Sequence, residues 1–430
     1  MNMQFNYSVG IMLIAVFTSG NVILLDAVGM RLPFQAIMIG LILIYFYQSS
    51  RVKINKSGFV VLLLAFTNLI GEIVIRQDIL DVFGYLLLAA ITMALLLMSP
   101  KAIMEFVIKL NYLNCFFALC AIFALALSFT SPAQTAALFE NAPYYNSSFL
   151  PGLSWRSLLS HADTTNIIFG IPIPRVSAYL SQVSLVPAYF LLPLGLYLAF
   201  SPKKSAFVMI TIFLYCIITF GGNVYVSILI GVFIFSISRY IPRVLLLIMP
   251  FICLVIASGF LAYLTFDLYD ADTLKNISRA VGYSFEDSVG TEGAVVNRLS
   301  SGVQRLVLMG FQVIGFFDSF PFPAEAALIN FSIGGLAFTN GLRGGVIAFV
   351  LTIIMFIIMF NGISYSLKQC KRHEISQRLG FALIYSLIFQ AFFYNDFGFS
   401  TYYGFIMFVI IITLTRLHLL NQDDNLKKIA

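Results

Sequence analysis

A chain of 430 residues that is 60% hydrophobic and only 10% charged, with a mean hydropathy of +0.95, keeps most of its residues out of water. Soluble domains carry about 25% charged residues, so an ordinary soluble enzyme is excluded. The net charge of +6 is spread as short basic clusters between apolar runs, a pattern that orients a membrane protein and gives no reason to expect a nucleic-acid partner.

The N-terminal MNMQFNYS has no basic n-region and no small-residue cleavage site, so the first apolar run is read as a retained helix. About 20 apolar residues cross the hydrocarbon of a bilayer. On that length the sequence predicts about twelve transmembrane helices, at 8–25, 32–48, 58–75, 79–99, 103–130, 176–200, 205–221, 223–239, 243–265, 341–361, 379–395 and 399–415. The expected fold is therefore an all-α polytopic membrane protein, a single integral membrane domain over 1–430. Fifteen of the 25 basic residues fall in short segments on one side, among them Arg51, Lys53, Lys203, Lys204, Lys371 and Arg372. The positive-inside bias makes that side cytoplasmic and places both termini there. The five cysteines show no paired or metal-like spacing, so neither a disulfide nor a zinc site is expected.

Two connections are long, 131–174 and 266–340, and both fall on the outer side. Long loops in a compact protein are functional or unstructured. These carry aromatics such as Tyr144, Trp155 and Tyr283 and ordered-looking apolar stretches, so folded functional segments are expected. Within the second, NRLSSGVQRLVLMGFQVIGFF puts Leu299, Val303 and Leu306 on one stripe and Arg298, Ser301 and Arg305 on another. That spacing predicts an amphipathic helix over about 297–316 lying along the outer surface.

The chemistry-bearing residues gather on the outer side. Arg175 stands just before a span, Arg298 and Arg305 are seven residues apart on one predicted helix face, and Arg279 and Arg343 lie nearby in sequence. A guanidinium keeps its charge and binds phosphate through two parallel hydrogen bonds. Three of them near the outer leaflet suit a diphosphate, whether held or leaving, and each alone also suits a lipid headgroup. His161 is the one outer histidine, a base or donor if it is not a structural loop residue. The outer carboxylates are too numerous to single out a general base. Within the spans, Glu105 and Lys109 stand four apart in the favourable order for a helical ion pair. Glu72, a few residues before Arg76, is read as a structural pair of the same kind. There is no Walker sequence, GxSxG or HExxH, and the run Asp267, Asp270, Asp272 resembles a cation site only loosely, so chemistry on a soluble nucleotide is not expected, and no cofactor or metal is implied.

From Arg175 onward the sequence resembles the bacterial polymerases and ligases of O-antigen and related surface polysaccharides, the Wzy-type polymerases and O-antigen ligases. In that family the first long loop ends in a pattern close to R-x-S-G-x-x-x-E-P-S. Here RVSAYLSQVS keeps Arg175, Ser177 and Ser184, with Ala178 for Gly, Gln182 for Glu and Val183 for Pro. The stretch with Arg298 and Arg305 fits the arginine helix of the family's second loop. GLRGG supplies Gly341 and Gly344 of a G-x-x-G, and Asn330 stands where a ligase-like histidine would.

The resemblance implies a membrane glycosyltransferase-C-like fold in a bacterial inner membrane. Its substrate would be an undecaprenyl-diphosphate-linked oligosaccharide. The growing chain would pass to a sugar hydroxyl of an incoming repeat unit, without metal. Arg175, Arg298, Arg305 and His161 would be the catalytic set, and Gln182, Arg279, Asn330 and Arg343 would bind substrate. Membrane lipid and a chain-length regulator would be the other partners. The histidine missing at position 330 favours polymerase over ligase. A flippase of the same lipid-linked sugars is the alternative from a different class, and it conflicts with the two long outer loops.

Overall fold

The computed structural model describes residues 3–18, 31–48, 58–75, 79–130, 161–168, 171–175, 178–180, 185–219, 221–267, 313, 316–323, 335–370, 374–393 and 402–429. A helix lies on each of the twelve apolar segments: α1 (Met3–Phe17), α2 (Arg31–Gln48), α3 (Phe59–Ile75), α4 (Ile79–Leu97) and α5 (Pro100–Thr130) precede a β-hairpin of β1 (His161–Ile168) and β2 (Ile171–Arg175). A π-helical turn, Pro187–Leu191, then runs into α6 (Leu192–Phe200). The chain continues through α7 (Ala206–Ile218), α8 (Gly222–Ile237), α9 (Arg243–Asp267), α10 (Leu336–Gln369), α11 (Ile375–Phe393) and α12 (Tyr402–Ile429).

The protein is thus a helical membrane protein. Among the described residues four stretches, in α5, α9, α10 and α11, are long and apolar enough to cross a membrane, and the other apolar helices are shorter. Large apolar side chains stand outward on many helices, such as Phe207, Leu229, Val255 and Ile256, all above 60% exposed. A soluble monomer does not expose apolar surface on that scale, whereas a lipid-facing surface must.

Three findings differ from the sequence expectation. The first long connection carries an antiparallel hairpin, a local addition to an otherwise all-helical fold. The alternate prolines of β2 (Pro172 and Pro174) remove two backbone donors, which a strand with a partner on one side tolerates. Within the span expected over 176–200, the described residues are helical from about Val186 on, and Ala178–Leu180 form a buried turn instead. The span expected over 341–361 lies within a longer helix, α10, which begins at Leu336 and is interrupted at Gly345. The stretch at 297–312 lies outside the described residues. The predicted Glu105–Lys109 ion pair is present, with a separation of 3.7 Å.

With no aqueous phase to drive helices together inside lipid, packing relies on close backbone approach and on shared polar groups. Both occur at α11, which packs against α6, α8 and α10. At its crossing with α6, a Cβ on Gly380 would stand 2.6 Å from the Gly195 carbonyl oxygen and 2.5 Å from the Ala199 nitrogen. At its crossing with α8, the Ser386 hydroxyl donates to the Ser227 carbonyl (2.7 Å), and the Gln390 amide donates to the Ser227 hydroxyl (3.1 Å). Arg378 closes the C-terminal end of α8: its guanidinium lies over the Phe235 ring and donates to the Phe235 carbonyl and to the Ser238 hydroxyl. A cation there complements the helix dipole.

Substituting Gly380→Ala forces backbone apart at the α6–α11 crossing, at a cost of about 1–3 kcal/mol. Gly222→Ala, where a Cβ meets nothing within 4 Å, leaves stability unchanged or raised. Thermal unfolding of the two variants in detergent compares them directly.

Candidate functional site

The hairpin brings two of the sequence-selected residues together. His161 and Arg175 are register partners across β1 and β2, at the end of the hairpin from which the chain runs on toward Ala178, with a register irregularity between His161 and Thr165. Ala178, Tyr179 and Leu180 are fully buried, and Ala178 adopts a left-handed backbone conformation with φ 52°. An alanine pays about 1 kcal/mol for that geometry, which glycine adopts freely.

Tyr179 anchors this turn. Its ring sits among Phe17, Phe117, Tyr189 and Phe190, with centroids 4.8–6.5 Å away. Its hydroxyl donates to Asn114 Oδ1 on α5 at 2.8 Å. Burial without water makes that bond worth more than its surface equivalent, because the alternative is an unsatisfied hydroxyl.

The helix that follows is interrupted by Pro193. Proline has no N–H, so it strips a donor from the carbonyl four residues back in an α register, Tyr189, and five back in a π register, Ala188. Both freed carbonyls find side chains. Asn114 Nδ2 donates to the Tyr189 oxygen at 2.7 Å, and the Tyr403 hydroxyl donates to that of Ala188. Asn111, one turn earlier on α5, donates to the Pro193 carbonyl at 2.8 Å. One asparagine, Asn114, therefore satisfies both the turn at Tyr179 and the π-helical segment.

A second interruption lies in α10. Gly345 has φ 69° and ψ −161°, and a Cβ there would stand 2.6 Å from the Pro321 carbonyl oxygen. That carbonyl accepts from the Val346 N–H at 3.0 Å, which ties the start of the second half-helix to residues 316–323. Phe316 from the same segment stacks on Phe349. The two halves of α10 are bridged by Asn340 Nδ2 donating to Thr352 Oγ1 (3.1 Å), and Asn340 Oδ1 accepts from Asn68 Nδ2 on α3 (3.1 Å). Helix α3 can come this close because position 71 is glycine: a Cβ on it would stand 1.9 Å from the Arg343 carbonyl oxygen.

Arg343 is half-buried beside this break, and its Nε is buried with no hydrogen-bond partner among the described residues. Glu72, next to Gly71, is 1% exposed. The structure therefore places His161 and Arg175 opposite one another, and Arg343 at the α10 break. Gln182, Arg279, Arg298, Arg305 and Asn330 lie outside the described residues, as does Arg76. Among the described residues no three His, Cys, Asp or Glu side chains gather as metal ligands would. Burial, reinforced by the negative charge of Glu374, pushes the Cys370 thiol up to about 12, which removes it as a nucleophile.

Sequence reasoning missed the polar groups that hold these elements: Asn68 and Asn340 at the α10 break, Asn114 and Tyr179 at the turn. The signal was available for Asn68, Asn111 and Asn114, amides inside apolar runs that must find partners in a membrane.

Compared with known proteins, the chain matches no family model, no curated protein and no solved structure.

Replacing Asn114 by Ala leaves the Tyr179 hydroxyl and the Tyr189 carbonyl unpaired, at about 1–3 kcal/mol for each buried group. Tyr179→Phe removes one hydrogen bond and leaves only the Asn114 oxygen, so it costs less. Unfolding midpoints ranked in the order wild type, Tyr179→Phe, Asn114→Ala are the expected result.

Proposed function

We propose that this protein is a membrane glycosyltransferase that polymerises undecaprenyl-diphosphate-linked repeat units into O-antigen or a related surface polysaccharide. The reaction runs at the periplasmic face of a bacterial inner membrane, on the orientation that the basic residues imply. The anomeric carbon of the growing chain leaves its lipid diphosphate and bonds to a hydroxyl oxygen of the incoming repeat unit. The diphosphate departs with the bonding electron pair. Arginines are suited to that departing charge, because they remain protonated and offer paired donors. No metal is required by this scheme.

The observation that carries the reading is the left-handed backbone at Ala178. The family's pattern has glycine three residues after its arginine, and a glycine is what a left-handed residue favours. Ala178 keeps that geometry without the glycine, which supports RVSAYLSQVS as the same local structure. The backbone register pairs position 175 with position 161, so a titratable residue stands across the hairpin from the arginine. Arg175, Arg298 and Arg305 are assigned to the diphosphate with His161 as a hydrogen-bond donor beside them, and Gln182, Arg279, Asn330 and Arg343 along the sugar path.

One observation favours the second reading, a flippase of the same lipid-linked sugars. Transporters place substrate at interrupted helices, and α10 is interrupted at Gly345, near half-buried Arg343 and the helix that carries buried Glu72.

Deleting the gene separates them. A polymerase deletion leaves surface glycan with single repeat units, whereas loss of all outward-facing lipid-linked repeats points to a flippase. Arg175→Ala and Arg305→Ala are each expected to abolish long chains while the protein inserts at wild-type levels, as read on glycan gels. Normal chain lengths in both variants overturn the site assignment.

A further inference from the structure

The family pattern leaves the acceptor's proton without a destination, since Gln182 stands where it has Glu. We propose that Glu72 is the general base of the reaction, with Asn68 beside it as an acceptor for a neighbouring hydroxyl of the same sugar; the inference rests on the polymerase reading above.

Glu72 is the one buried carboxylate among the described residues. It lies three residues before the end of α3, about 5 Å along the helix axis. That places it near the end of the helix that the loop pattern puts outside, at the depth where a lipid-linked sugar meets the bilayer. Asn68 is four residues earlier, so the two side chains share one helix face. Asn68 is 1% exposed, its Nδ2 is committed to Asn340, and its Oδ1 has no hydrogen-bond partner. A buried amide oxygen left open in a membrane bundle is costly, and a hydroxyl donor resolves it.

The helix break supplies the complementary group. Gly71, between Asn68 and Glu72 in the chain, lets the Arg343 stretch of α10 approach to backbone contact. Arg343 Nε is buried and has no partner among the described residues, an open donor on the stretch of α10 that Gly71 admits. Open acceptor, carboxylate and open donor together match a ligand that carries both hydroxyls and an anionic group, as a sugar on a lipid diphosphate does.

The step balances without a further reactant. The acceptor O–H proton passes to the Glu72 carboxylate as the oxygen forms its bond to the anomeric carbon of the growing chain. The bond from that carbon to the diphosphate breaks, and the diphosphate takes the electron pair. Glu72 then returns its proton to solvent. A base so buried acts where water is excluded, which limits hydrolysis of the donor.

The test uses purified full-length protein in phosphatidylethanolamine–phosphatidylglycerol vesicles. Its substrate is undecaprenyl-diphosphate-linked repeat units extracted from a host lacking the gene. Wild-type protein is expected to elongate them. Glu72→Gln, nearly isosteric, is expected to lower kcat by about 100-fold or more with KM unchanged, since a base acts only in the transition state. Glu72→Asp is expected to recover part of that loss. Elongation by Glu72→Gln at the wild-type rate overturns the proposal, as does equal loss in Gln and Asp variants accompanied by raised KM, which marks a packing role. A wild-type protein that binds repeat units and never joins them overturns the polymerase reading itself.

Discussion

A peptide group in hydrocarbon has no water to replace a lost partner, so every break in a transmembrane helix must be repaired by side chains. Among the described residues, the helical path is interrupted at Pro193 and at Gly345, and both interruptions are met by buried amides. At Pro193, carbonyls that the proline cannot serve are taken by Asn114 and Tyr403. At Gly345, the two halves of α10 are held by Asn340 to Thr352 and by Asn68 from α3. The remaining bundle packs by ordinary means, with close backbone approach at Gly195 and Gly380 and hydroxyl–amide contacts between α8 and α11.

The two repairs lie beside residues assigned to the proposed site. Asn114 accepts from Tyr179 as well as donating to Tyr189, so the strained turn at Ala178 and the π-helical segment share one support. Arg175 enters that turn from the hairpin. Arg343 stands at the other break, held where Gly71 allows α3 to reach it. Irregular backbone buried in protein is how membrane domains build polar sites at depth, because regular helices present their carbonyls to no ligand.

Much of the helical plan was legible in the sequence because membrane helices announce themselves by length and hydropathy. Each apolar segment carries a helix, and the Glu105–Lys109 pair follows from i,i+4 spacing alone. What hydropathy could not show is where a helix starts inside an apolar run. Residues 178–180 are as apolar as a span, yet they form a turn, because the Tyr179 hydroxyl is satisfied by an asparagine 65 positions away. The hairpin was hidden for a different reason: β2 is five residues long with two prolines, below any strand signal from alternation. Arg175 and Arg343 were identified from the arginine pattern and the resemblance. Glu72 reads from spacing as a helix-end ion pair, and its burial, one residue from the Gly71 that meets α10, is revealed only by the packing.

On the proposed function, Arg175 beyond the hairpin and Arg343 at the α10 break both serve a lipid-linked diphosphate sugar. The most direct test is a cryo-electron microscopy structure of the protein with an undecaprenyl-diphosphate-linked repeat unit bound. The account predicts the diphosphate against Arg175 beside His161, with sugar density reaching the break in α10 at Arg343 and Glu72. A repeat unit bound elsewhere on the bundle, with neither arginine in contact, contradicts it.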